Sequence, residues 1–207
     1  MNKFLYLYRE LLKKHGSPKD QWSLWCRRPK TKRQREEVII GAILTQNTNW
    51  QNVKKAIANL KQAKKCSLKL ILELKTEKLE QLIRPSGFYK TKAKYLQGVA
   101  RFIIESGGVG KLMKREGQEL RRGILKLKGV GPETADSILL YALDRPVFVV
   151  DEYTRRIARA KNLVKNMDYE YLRKLFEDNL PKKFEVYQDF HALIVVEGKH
   201  AGRKAGK

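Results

Sequence analysis

Leu127-Lys128-Gly129-Val130-Gly131-Pro132 is the stretch on which the fold turns. It joins two helical patterns, Leu120 to Leu127 and Thr134 to Leu143. Two glycines separated by one residue allow a tight turn and a close backbone approach. Pro132 suits the first position of the second helix, where no amide proton is needed. The free amides at that helix start point outward and can hold a phosphate. Val130 is expected to pack back into the core and fix the turn. Gly-x-Gly alone also serves an ordinary helix–helix turn. The context favours a phosphate grip: Leu127 before it, Ala135 after it, and a strongly basic chain.

That basicity is large. The 207 residues carry 45 Lys plus Arg against 22 Asp plus Glu, a net charge of +23. Like charges in such excess repel one another in a folded domain. A polyanion relieves them, because Lys and Arg displace counterions from phosphates without regard to sequence. A lysine-rich thermophile surface would carry matching glutamate, and here it is missing. Hydrophobic residues make up 42% of the chain, enough for a real core. No apolar run approaches the roughly 20 residues needed to span a bilayer. The start, Met1-Asn2-Lys3-Phe4-Leu5, enters an amphipathic pattern and does not read as a signal peptide. Cys26 and Cys66 imply no disulfide framework and fit a reducing cytosol.

Helical periodicity continues on both sides of the hairpin. Upstream, the helical stretches are Phe4 to Leu12, Glu36 to Leu44, Trp50 to Leu60, Leu68 to Leu74, Leu79 to Ile83 and Phe88 to Ile104. Residues 17 to 33 read as loop. Downstream, Asp151 opens a helix, and Tyr169 to Asn179 and Val186 to Val196 follow. Val147 to Val150 is the one β-like run. It is too isolated for a sheet and reads as a buried crossing segment. The tail from Gly198 to Lys207 reads as loose. The expected class is all-α.

Asp151 follows the apolar run Val147-Phe148-Val149-Val150. A carboxylate at a helix start is a good cap, and that is its plainer role. The apolar lead-in would also set it at the mouth of a partly dry pocket. There it could stabilise positive charge on a deoxyribose as its base leaves, or activate water. A phosphate held at Gly129 to Gly131 and a carboxylate about twenty residues later could face one nucleotide.

Together these residues resemble the helix-hairpin-helix glycosylase superfamily of the endonuclease III type. Leu127-Lys128-Gly129-Val130-Gly131-Pro132-Glu133-Thr134-Ala135 and Val149-Val150-Asp151 match its two signatures. Leu44-Thr45-Gln46-Asn47-Thr48, Arg84-Pro85-Ser86-Gly87-Phe88-Tyr89 and Lys92-Ala93 match its other landmarks, over about Ile39 to Lys199. The resemblance implies two helical subdomains with the active-site cleft between them. They would be 1-33 with 147-207, and 34-146 containing the hairpin at about 120-143. It also implies a double-stranded DNA partner carrying a damaged base, a monomer, and a cytoplasmic place at the nucleoid.

Three departures narrow the subtype. Glu133 stands where bifunctional members keep a Schiff-base lysine, and a carboxylate cannot be that nucleophile. Gly202 stands near the first ligand position of the family's iron–sulfur loop, so no cluster is expected. Arg84 to Tyr89 and Asp151-Glu152-Tyr153 look closest to the 3-methyladenine DNA glycosylase III branch. That branch implies a monofunctional enzyme that excises an alkylated purine and leaves an abasic site. Trp50 and Trp25 then stand at its aromatic pocket positions, with Trp22 a weaker choice and Glu133 nearby. Core packing is the alternative for each tryptophan.

By the same resemblance Gln46 plugs the gap left by a flipped base, and Phe88, after Ser86-Gly87, is an apolar wedge. The alternatives are a helix-cap glutamine and a core phenylalanine. Lys90, Lys92, Lys94, Lys126 and Lys128 are candidate phosphate contacts, and a monovalent cation could sit on the carbonyls of Leu127 and Val130. His191 reads as a core histidine, and Lys199 has no assigned role. Two competitors stay open: a glycosylase for another damaged or mismatched base, and a helix-hairpin-helix DNA-binding module without chemistry.

Overall fold

The computed structural model describes residues 2–204. Among them there are helices and no strand, so the chain is all-α. In order the helices are α1 (Lys3–His15), α2 (Trp22–Trp25), α3 (Lys32–Leu44), α4 (Trp50–Gln62), α5 (Leu68–Leu72), α6 (Thr76–Ile83), α7 (Tyr89–Glu105), α8 (Val109–Leu112), α9 (Gly117–Leu125), α10 (Pro132–Ser137), α11 (Glu152–Ala160), α12 (Tyr169–Asp178) and α13 (Phe184–Lys204). Met1–Arg27 and Asp144–Lys207 form one compact unit, and Arg28–Leu143 forms the other.

Helix starts follow capping chemistry. Thr31 and Gln34 form a reciprocal capping box, which begins α3 four residues before its apolar pattern. Asn49, Ser67, Asp151 and Asp168 cap α4, α5, α11 and α12 through side-chain oxygens that accept backbone amides. Such caps satisfy amides that the helix itself cannot.

In the Arg28–Leu143 unit, α3 is the central rod, buried continuously from Val38 to Leu44. Two charged residues of its N-terminal half, Arg35 and Glu36, are buried too and serve its neighbours. Arg35 Nη1 donates to the Ala142 carbonyl at 2.7 Å. Glu36 Oε2 accepts the Leu68 amide at 3.1 Å. After α10 the chain widens into a π turn, Ile138–Ala142. A π turn leaves carbonyls without their usual i+4 donors, and Arg35 supplies one. Arg121 and Asp136 tie α9 to α10 by a bidentate pair at 2.7 and 3.0 Å, with Asp136 fully buried.

In the other unit, Phe148 organises the core. Its ring stacks on Phe176 at 4.3 Å and meets Tyr187 and Phe190 edge-on at 5.7 and 5.9 Å. Each fully buried ring of this kind contributes about 1.5–3 kcal/mol. The Phe148 amide donates to Glu177 Oε1 at 2.9 Å, and Arg173 Nη1 holds that carboxylate at 2.8 Å. The extended run Val147 to Val150 therefore has side-chain partners instead of a neighbouring strand.

Two expectations need correction. The stretch read as loop contains α2 and the start of α3. The tail read as loose is helical to Lys204, with 205–207 outside the described residues. Gly198 does not break α13, because its missing side chain accommodates the Tyr153 ring. A Cβ there would lie 2.3 Å from Tyr153 Cδ1.

Candidate active site

The hairpin closes by an amide of Val130 donating to the Leu127 carbonyl at 3.1 Å. Its two glycines differ in kind. Gly129 is left-handed, with φ 79°, and a Cβ there would fall 2.1 Å from Tyr95 Cε2. Gly131 has an ordinary extended φ of −86° and caps α10, and nothing lies within 4 Å of where its Cβ would be. The first is demanded by the fold. The second leaves an open place on the exposed turn. Val130 is buried, while Lys128, Gly129, Gly131 and Glu133 are exposed and Leu127 is half-buried. Glu133 lies in the first turn of α10.

Gln46 reaches this hairpin. Its Nε2 donates to the Gly129 carbonyl at 2.9 Å and to Thr134 Oγ1 at 3.0 Å. The next residue, Asn47, is left-handed at φ 50°. Trp50 begins α4 and is half-buried.

The turn before α7 has a similar character. Ser86 is fully buried, its hydroxyl donating to the Ile83 carbonyl at 2.8 Å. Gly87 has φ 68°. Phe88 then sits at φ 45°, ψ 29°, a costly conformation for a bulky side chain, and its ring is 69% exposed. A core phenylalanine would be neither. Exposed, strained apolar residues commonly mark function.

Lys92 corrects its expected role as a phosphate contact. It is 2% exposed, and its ammonium donates to the carbonyls of Leu44 at 2.8 Å and Ser86 at 2.7 Å. Burial pushes its pKa down to about 8. Lys90, Lys94, Lys126 and Lys128 face solvent.

Asp151 lies in the other unit as the cap of α11. Its Oδ1 accepts the Thr154 amide at 2.7 Å and the Thr154 hydroxyl at 2.9 Å. Its Oδ2 stands 3.6 Å from His191 Nε2 on α13. Burial opposes its ionisation. The His191 imidazole and the Thr154 bonds outweigh burial and hold the carboxyl below its usual range. His191 is buried, as a core histidine should be, yet it borders this carboxylate. Trp22 meets the His191 ring edge-on at 5.9 Å, and Phe148 does so at 6.3 Å. Trp25 is buried and packs against Trp22 at 5.8 Å. Lys199 Nζ donates to Gln21 Oε1 at 3.2 Å.

Three pairings are absent from the sequence expectations: His191 with Asp151, Thr154 with Asp151, and Arg121 with Asp136. Thr154 was findable, since it stands three residues after a capping aspartate. The other two join residues distant in sequence.

Comparison with known proteins adds an independent line. The family model described as HhH-GPD superfamily base excision DNA repair protein matches residues 40–182. A protein of Methanocaldococcus jannaschii, provisionally assigned as a DNA repair glycosylase, is 48% identical over 174 residues, covering 82% of this chain and 79% of its own. Endonuclease III of Thermotoga maritima is 30% identical over 145 residues, or 70% of this chain and 65% of that protein. Among solved structures, the H. pylori 3-methyladenine DNA glycosylase MagIII bound to 1,N6-ethenoadenine superposes with TM-score 0.79 and 30% identity, covering 97% of this chain and 99% of that one.

Proposed function

The chain belongs to the HhH-GPD superfamily of base excision DNA repair proteins as a DNA glycosylase, and we propose that it excises alkylated purines from double-stranded DNA without cutting the strand. The observation that carries this is the Asp151 carboxylate, capped by Thr154, bordered by His191 and held ionised despite burial. An ionised carboxylate serves a reaction in which positive charge grows on the sugar.

The chemistry is economical for a cationic base. An N3-alkylated adenine carries the positive charge that makes it a leaving group. The C1′–N bond breaks, its electron pair departs with the base, and a neutral purine is released. The cation that develops on the sugar is stabilised by Asp151. Water then adds to C1′, its proton passes to the carboxylate or to solvent, and an abasic site remains. The open backbone of Gly129 to Gly131, with Lys128, would take a phosphate. Gln46 would fill the vacated base position and Phe88 would wedge the stack. Trp50, Trp25 and Glu133 are the residues proposed for the base pocket.

Two features support the finer reading. Glu133 offers no amine for a covalent sugar adduct. The likeness to MagIII points to an alkylated or adducted adenine as the target class. A monovalent cation also fits the hairpin chemically. The Leu127 carbonyl accepts one amide and keeps a second lone pair, and with Val130 it would offer the hard oxygen donors such an ion takes.

The test is base release from duplexes holding 3-methyladenine, 7-methylguanine, hypoxanthine, uracil or a G·T mismatch, scored before and after alkali. Release of methylated purine, with breaks only after alkali, is expected. Release of uracil or mismatched thymine alone would establish the competing reading.

A further inference from the structure

Lys92 has a use that the proposed chemistry leaves unexplained. It lies on the inward stripe of α7 with Leu96, Val99 and Ile103, all buried. A lysine there normally costs stability unless its head is satisfied. Its two acceptors are not arbitrary. The Leu44 carbonyl ends α3, two residues before Gln46, and the Ser86 carbonyl lies two residues before Phe88. The Lys92 amide also donates to the Phe88 carbonyl at 2.9 Å. Gln46 is bonded in turn to Gly129. One ammonium therefore fastens the roots of the two segments that carry the plug and the wedge, and the plug is fastened to the hairpin.

We propose that Lys92 is a positioning residue for base extrusion, its ammonium joining the Leu44 and Ser86 carbonyls so that Gln46 and Phe88 enter the duplex as one rigid pair. This rests on Gln46 and Phe88 being the inserting residues. Left-handed Phe88 needs such support, because an L-residue in that conformation tends to relax out of it. Without the lysine, two buried carbonyls lose their donor and each turn is free to move separately. Phosphate binding at the hairpin does not pass through Lys92. Loss of Lys92 should therefore fall on opening the duplex and spare DNA affinity.

The experiment compares single-turnover base release from a fully paired duplex and from the same lesion in an unpaired bulge, where extrusion is already done. 2-Aminopurine beside the lesion reports unstacking. Lys92→Met should slow release from the paired duplex by about tenfold or more and slow the bulge by less than about threefold. It should also dim the 2-aminopurine signal and leave affinity for undamaged duplex unchanged. In a Phe88→Ala, Gln46→Ala background the same change should add little, since what it positions is gone. Equal slowing on both substrates, full additivity in that background, or no slowing would each overturn the proposal. If Lys92→Met does not fold, Lys92→Arg serves for the same comparisons. It keeps donors but forces the two carbonyls apart. Failure of the underlying reading looks different: Phe88→Ala and Gln46→Ala would then release base from paired DNA as fast as the unaltered protein.

Discussion

The ring of Tyr95 occupies the space that any side chain on residue 129 would need. A Cβ on Gly129 would lie 2.1 Å from Tyr95 Cε2, and the residue is also left-handed. Gly129→Ala should therefore destabilise the protein by about 1–2 kcal/mol from conformation alone, with the clash adding to it. Gly131→Ala meets neither obstacle. It should hold stability within about 0.5 kcal/mol yet weaken binding to duplex DNA, by putting a methyl group where a phosphate approaches. Urea titration and a binding isotherm on both variants check this. Unchanged affinity in Gly131→Ala would remove residue 131 from the DNA contact.

Asp151→Asn keeps the cap, since its amide oxygen can still accept from Thr154. Base release should vanish while DNA binding and fold persist. The pH profile follows from the depressed carboxyl. A carboxylate whose folded pKa lies below its unfolded one adds stability above the unfolded value, near 3.9, and loses it as pH falls through the folded value. Asp151 should thus impose no loss of activity between neutral pH and about pH 4. In His191→Gln, which lacks the imidazole that helps hold the charge, the acid limb should move to higher pH. An identical limb in that variant would count against His191 as the tuning group.

Lys92 is shifted in the same direction for a different reason, because burial disfavours its charged form. Its folded pKa, about 8, is below the ordinary value of 10.5. Between those values the unfolded chain binds more protons, so this group's contribution to stability rises with pH. The unaltered protein should gain stability relative to Lys92→Met from pH 7.5 to pH 10. Chemical denaturation of both proteins at the two pH values measures it.

Asp136 is fully buried against Arg121. Arg121→Ala removes the bidentate partner of that buried carboxylate and should cost about 3–5 kcal/mol. Replacing both residues with leucine should cost less than the single change. Thermal unfolding decides between these, and a smaller loss in the single variant would mean that the pair is not what pins the hairpin helices.

Glu133→Lys tests the expected absence of strand cleavage at its source. If residue 133 faces the sugar, the variant should form a covalent complex trapped by borohydride, and the parent should not. No trapped complex in either would place residue 133 out of reach of C1′.

Most of the helical pattern was legible because caps and apolar spacing are local. Asn49, Ser67, Asp151 and Asp168 all stand at helix starts. Four-residue α2 and α8 are too short to show a period. The π turn is hidden in a continuous apolar run, Ile138 to Leu143, that fits any buried helix. Lys92 was misread because lysines at 90, 92 and 94 look like one solvated run. Its spacing to Leu96, Val99 and Ile103 was the available signal of burial. The tail from Gly198 reads as loose in sequence because the use of that glycine lies in a ring from another helix. For the site, Asp151 and the hairpin stood out through local motifs, while His191 could be joined to Asp151 only in three dimensions.

That ring has one more effect. Tyr153 stands two residues after Asp151, and its seat at Gly198 works as an indexing notch. With the ring seated, α11 cannot turn about its own axis, so the azimuth of the carboxylate is fixed from α13. Aim in this protein is thus set partly by a residue with no side chain, far along the chain from the aspartate it orients.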